Sequence, residues 1–389
     1  MEKNIVNLVA VGDVGPKREN ADEVFDLTRS ILRKADITFG QLESNLSTRG
    51  TPQVSMGLGS IAHPRMAKVF ANAGFDVMSF ASNHSLDWSE EALFDTLDVM
   101  KENNIQVIGA GRNLDEARKP AIIQRENTTI GFLAYCSVVP KGFDAGKNKS
   151  GVAPVRAFTS YEQADWQPGT PPRIHTKVFP EDLNNMVEDI KALKSQVDVL
   201  VLSMHWGVHF VPSMIAQYQF EAGHAAIDAG ADIIIGTHAH ILKGIEVYKG
   251  KAIFFSLCNF NMDLPITGPV ADAMAKSQGR PAMTSVTLDG QNRCQIGHYS
   301  WEVDPEYPSY AFPVDSQKSI LVRCKIVDGS IRRISFQPLW MTKAGQPEPL
   351  SASDPRNEDV LGYIKYLCQD QGLDTTFVRD GDEIVVQTG

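Results

Sequence analysis

The chain has 389 residues, 43% hydrophobic and 22% charged, an ordinary globular composition with material for one large α/β domain and an appendage, or for two modest domains. Its net charge of −10 is spread along the chain, which excludes nucleic acid as the main partner, because binding a phosphate backbone needs a basic face. The five scattered cysteines form no CxxC pair, and no window reaches the roughly 20 apolar residues of a membrane span, so a soluble, cytoplasmic chain without disulfides is expected; a trimmed signal or anchor would leave no trace.

In chain order, Ile5–Val11 reads as a buried strand, followed by a helix over Ala21–Lys34 and a strand over Ile37–Gly40 that leads to Gln41-Leu42-Glu43. Pro64–Ala73 reads as a helix closed by Gly74, and Asp76–Phe80 as a strand running into Ser82-Asn83-His84. Ser89 is placed as the N-cap of a helix over Glu90–Lys101. Strands at Ile105–Ile108 and Thr129–Tyr135 come next, and Pro- and Gly-rich Gln163–Pro180 reads as a loop insertion. Helix Asp182–Lys194 precedes Val197–Met204, the most apolar strand, which ends at His205. Helix Met214–Ala229, strand Asp232–Ile235 with Gly236-Thr237-His238-Ala239-His240 behind it, and strand Ala252–Ser256 follow. Asn261–Pro313 shows little periodicity and reads as a lid or rim. Ser319–Pro338 returns to strand-like alternation, and a helix near Asn357–Gln371 and a hairpin at Arg379–Asp382 end the chain. Strands alternating with helices predict βαβ units and a layered α/β fold.

Five strand ends carry residues that can bind a metal: Asp13, Glu43, Asn83 with His84, His205, and His238 with His240. Each has a plainer reading: Asp13 as a helix cap, Glu43 as a salt-bridged carboxylate, Asn83-His84 as a turn, His205 as a hydrogen-bonded core histidine. Two alternate histidines directly after a buried strand are the sharpest signal. Five independent coincidences at strand ends are far less expected than one site, since ligands of α/β folds collect where strands end. Carboxylates, an amide oxygen and imidazoles form a mixed O/N donor set suited to manganese, iron(II) or zinc rather than calcium.

The order and neighbours of these residues resemble the CapA (poly-γ-glutamate synthesis protein) family of the calcineurin-like metallophosphoesterase superfamily. The stretches that carry the resemblance are Val11-Gly12-Asp13, Gln41-Leu42-Glu43-Ser44, Gly74-Phe75-Asp76-Val77 leading to Ser82-Asn83-His84 and Asp87, and Gly109-Ala110-Gly111 with Asn113 and Glu116-Ala117. His205-Trp206-Gly207, Gly230-Ala231-Asp232, Gly236–His240, Ile245-Glu246 and Ser256-Leu257-Cys258-Asn259-Phe260 complete the set, from about Asn4 to Phe260, with a weaker echo over Ser319–Gln371. The resemblance implies a four-layered αββα sandwich over residues 1–320 (insertion at about 261–313) and an extension over 321–389 packing on it.

It also implies two divalent transition metals (manganese, iron or zinc) bridged by Glu43. Asp13 and His240 would serve one metal; Asn83, His205 and His238 would serve the other. His84 would protonate the leaving group and Asp87 would orient it. The implied activity is hydrolysis of a phosphoester in an anionic small molecule by a hydroxide held between the metals, which needs no basic protein face because bound cations reverse the local field. The same site could instead attack an amide, lactam or thioester, or the chain could be a non-catalytic assembly factor for polymer synthesis or export. Gly15 stands where many superfamily members have a histidine, leaving one metal a ligand short. His209 stands where the family often has glutamate, as a substitute ligand, a substrate contact or a plain loop residue. Cys258 replaces a usual glycine and is read as packing. The missing anchor loosens the link to poly-γ-glutamate. Arg65 and Lys141 could hold an anion, and His63, His175, His224 and His298 are read as structural.

Overall fold

The computed structural model describes residues 4–18, 21–53, 59–165, 169–265, 292–296 and 299–388. Two large sheets dominate. The first has ten strands; its main path runs Phe377–Asp380, Glu383–Val386, Ser330–Met341, Lys318–Val327, Ile5–Gly15, Ile37–Leu42, Val77–Ser79, Gln106–Ile108. The second has six: Ile245–Tyr248, Lys251–Phe254, Ile233–Thr237, Val199–His205, Thr128–Cys136, Ala121–Arg125.

Strand Val199–His205 shows why the layers stack as they do. Every residue is apolar or buried, and the two-residue period splits them between two cores. Val199 and Val201 point into the core shared with the first sheet, with Val9, Val11, Phe39 and Phe132. Leu200, Leu202 and Met204 point the other way, against helices Pro180–Lys194 and Gln217–Ala229 through Met186, Ile190, Ala222 and Ala226. Phe39 and Phe132 stack across the sheet interface with centroids 5.9 Å apart. Helices Met66–Ala73, Ser89–Glu102 and Pro355–Asp370 pack on the first sheet through Val69, Phe70, Leu93, Met100, Val360 and Ile364. The result is the expected layered α/β sandwich. No helix among the described residues is long and apolar enough to cross a membrane, and all five cysteines are free and buried.

Several elements differ from the sequence reading. The first strand runs on to Gly15, so Asp13 lies inside it, paired with Gln41 on one side and Asn259 on the other. The segment expected as helix Ala21–Lys34 is a 3₁₀ turn at Ala21–Glu23 and an α-helix only over Arg29–Lys34; the turns between bury Val24 and Phe25 against Phe70, Phe75 and Phe260. Ser89 is not the N-cap. It is the first helical residue, held at φ 70°, and its hydroxyl donates to the Glu91 carboxylate rather than capping the helix. Gln163–Pro180 is not all loop: Arg173–Val178 pairs antiparallel with Ala157–Glu162, and Pro180 opens the next helix. The next helix begins at Gln217, not Met214. Within Asn261–Pro313, residues 266–291 and 297–298, His298 among them, lie outside the described residues. Beside them, Asn259–Met262 pairs with the first strand, and Arg293–Ile296 pairs with Tyr299–Glu302.

Candidate metal centre

The strand carrying Asp13 comes so close to Cys258 that only glycine fits before it. A Cβ on Gly12 would stand 1.8 Å from the Cys258 carbonyl oxygen, and the Asp13 amide donates to that same oxygen at 3.1 Å. Glu43 follows strand Ile37–Leu42 directly and is fastened by its amide to Val14 O at 2.9 Å. His205 is the last residue of its strand. His238 and His240 follow strand Ile233–Thr237 with φ of 89° and 54°, a left-handed backbone that non-glycine residues seldom adopt without a reason. These ends converge, with Asn83 arriving from the turn after Val77–Ser79.

His205 Nε2 lies 2.8 Å from Asn83 Oδ1, 3.0 Å from Glu43 Oε1 and 3.2 Å from His238 Nδ1. A ring nitrogen has at most one proton, so it cannot satisfy three such neighbours; a cation among them can. His240 Nε2 is 3.6 Å from Glu43 Oε2, and Asp13 Oδ2 is 3.8 Å from the same ring's Nδ1. Two donor groups result, Glu43 with His205 and His238, and Asp13 with Glu43 and His240, each with donor atoms within 4.8 Å of one another. Glu43 belongs to both. Asp13 Oδ1 and Glu43 Oε2 are buried without a hydrogen-bond partner, a costly arrangement that bound cations would relieve. Thr237 Oγ1 holds His205 Nδ1 at 3.0 Å, an outer contact of the kind that orients metal-binding imidazoles. The chain's residues therefore fit divalent cations with O/N donors.

The electrostatics agree. Burial, then the Glu43 charge, pushes the Asp13 carboxyl well above its usual value. Burial also pushes Glu43 up, but the His240 and His205 imidazoles outweigh it and hold Glu43 well below the carboxylate range. Burial pulls His205, His238 and His240 down, leaving neutral rings with a lone pair to give.

His84 stands apart, with 19% of its side chain exposed against 0% for His205 and 7% for His240. Its Nδ1 is 2.7 Å from Asp87 Oδ2, which also accepts the Ser60 amide at 2.6 Å. Burial pulls the His84 ring down, but the Asp87 charge more than reverses this. His209 lies against the cluster, its ring 3.8 Å from His238 and 5.3 Å from His240. At Gly15 a Cβ would meet Met262 Sδ at 2.8 Å, so a thioether occupies the place where a further histidine could be sought. Cys258 is buried and gives its thiol to His240 O at 3.1 Å, a packing and hydrogen-bonding role. The remaining histidines among the described residues have local tasks: His63 Nδ1 accepts the Arg65 amide at 3.1 Å, His175 pairs with Glu162 at 2.8 Å, and His224 pairs with Glu246 at 2.8 Å. Arg65 sits exposed at a helix start and Lys141 is exposed in a turn.

One participant was missed from the sequence. Asn259, quoted there only as part of a motif, is fully buried with its Oδ1 2.7 Å from His240 Nδ1. The available signal was a polar residue entering a strand beside the site.

Residues 7–264 match the family model for the bacterial capsule synthesis protein PGA_cap. The chain is 31% identical over 249 residues to the PGA biosynthesis protein CapA of Bacillus subtilis, covering 64% of this chain and 58% of that one. It is 26% identical over 250 residues to the capsule biosynthesis protein CapA of Bacillus anthracis, covering 63% and 55%. Thus the match spans less than two thirds of either relative. Among solved structures, a calcineurin-like phosphoesterase from Bacillus subtilis aligns over 95% of this chain and 98% of its own, at 14% identity and a TM-score of 0.40.

Proposed function

Because the chain belongs to the PGA_cap family of bacterial capsule synthesis proteins, we propose that it is a metal-dependent hydrolase acting on an anionic small molecule, with a phosphoester the first substrate to try. The observation that carries this reading is the pair of buried donor groups sharing Glu43, with an orphaned carboxylate oxygen on Asp13 and another on Glu43. Asp13 and His240 would hold one divalent cation, Asn83, His205 and His238 the other, and Glu43 both. When bound, such a pair supplies a water deprotonated at neutral pH and neutralises charge growing on the attacked centre. The chain's own residues do the rest. Asp87 accepts a hydrogen bond from Nδ1 of the partly exposed His84, which fixes the ring and leaves Nε2 to pass a proton to a departing oxygen. His209, beside His238 and His240, would touch the substrate.

The same donors suit attack on an amide, lactam or thioester. A second reading, an assembly factor for polymer synthesis or export, is favoured by the relatives' names, which speak of biosynthesis. His84 separates the two, since a scaffold has no use for a leaving-group acid. Manganese-loaded protein should turn over aryl and alkyl phosphates. His84→Asn should keep its metal yet lose about 10²–10⁴ in rate on alkyl leaving groups, and far less on nitrophenol. No turnover of any of these bond types by the loaded wild type contradicts the hydrolase reading.

A further inference from the structure

The position of the proton on His240 is set by residues distant from it in sequence but packed beside it. The Ser316 carbonyl can only accept, so the Tyr310 hydroxyl, 2.7 Å away, donates its single proton there. The Tyr310 oxygen can then only accept, and it does so from the Asn259 amide nitrogen at 2.8 Å. With the amide turned the other way, two oxygens would face each other at that distance with no proton between them. Asn259 Oδ1 must therefore face His240, and, being an acceptor, it takes a proton from Nδ1 at 2.7 Å. That leaves the lone pair on Nε2, the nitrogen facing Glu43 Oε2 at 3.6 Å. Asn259 is fully buried and Tyr310 is 1% exposed, so water does not compete for these bonds.

We propose that the chain Ser316–Tyr310–Asn259 fixes the tautomer and aim of His240, and so sets how tightly the Asp13–Glu43–His240 group holds its cation. This rests on the metal-centre reading above. Asn259 is a positioning residue that acts through His240. A neutral amide polarises an imidazole less than a carboxylate would. Met262 fills the space beside Gly15, so this group gains no further histidine there, and the hold of His240 counts for more. Cys258 closes the same unit: its thiol donates to His240 O at 3.1 Å, and the same sulfur lies 3.6 Å from Ser316 O.

The test is calorimetric titration of the metal-free full chain with manganese(II) alone, beside thermal unfolding of the metal-free forms. Wild type should bind two ions. Asn259→Leu should weaken one of them about 10–100-fold and leave the other within a few-fold. Asn259→Asp, which can still accept from Nδ1 while taking the Tyr310 proton instead, should bind that ion at least as tightly as wild type even if it unfolds earlier. Tyr310→Phe should fall between wild type and Asn259→Leu. A general packing role would instead lower the unfolding temperature of Asn259→Leu and Asn259→Asp together and weaken both ions alike, and that result overturns the proposal. So does an Asn259→Leu chain that binds both ions like wild type, which would leave the metal centre itself standing. If wild type binds no manganese, the metal-centre reading fails and takes this one with it.

Discussion

Glu43 and Lys243 are both buried charges, and their surroundings treat them in opposite ways. Glu43 is ringed by imidazoles that hold it ionised. Lys243 donates to the Val211 carbonyl, and burial alone pulls its ammonium down to about 8 from 10.5. The unfolded chain keeps that proton to higher pH, so between pH 8 and 10.5 the unfolded state binds more protons and stability rises with pH. Below pH 8 both states are charged and the cost of the buried ammonium is felt in full. Lys243→Met removes the effect. Measured by urea unfolding at steps across this window, wild type should gain up to about 3 kcal/mol relative to the variant as pH rises. A difference that does not change with pH would show that the ammonium is not desolvated in the folded chain.

At the scale of elements, the site depends on strands ending where they do and approaching closely enough. Gly12→Ala would put a Cβ into the Cys258 carbonyl. It should cost about 1–3 kcal/mol in unfolding free energy, as overpacking does, and weaken metal binding by displacing Asp13. Unchanged stability and metal affinity would mean that the close approach is dispensable. Much of this arrangement was legible in the chain. Local periodicity marks strand Val199–His205, and the polar residues that break it, such as His205 and Glu43, mark where strands end. What local pattern cannot show is pairing with distant partners. Asp13 lies inside a strand because Gln41-Leu42 on one side and the distant Asn259–Met262 on the other carry the pairing beyond Val11. Arg173–Val178 looked like loop because its flanking prolines and glycine hide an alternation that only Ala157–Glu162 completes. The task of Asn259 was unreadable for the same reason: its partners His240 and Tyr310 lie 19 and 51 residues away.

At the scale of the whole molecule, the family match ends at residue 264, but the structure that positions the site does not. Lys318–Val327 pairs antiparallel with Ile5–Gly15 over six residue pairs, Ile5 to Ala10, and Ser319 Oγ donates to Leu257 O at 3.1 Å. Residues beyond the family match thus brace the strand that carries Asp13. Glu43, shared by both donor groups, is where the whole arrangement meets. The most direct test is metal content and affinity of the metal-free chain reconstituted with manganese, iron(II) or zinc, for wild type and Glu43→Ala side by side. Wild type should hold two ions per chain, one more tightly than the other, and the variant should lose affinity for both. A wild-type chain that never holds more than a trace of metal, or a Glu43→Ala chain that binds both ions unchanged, would contradict this.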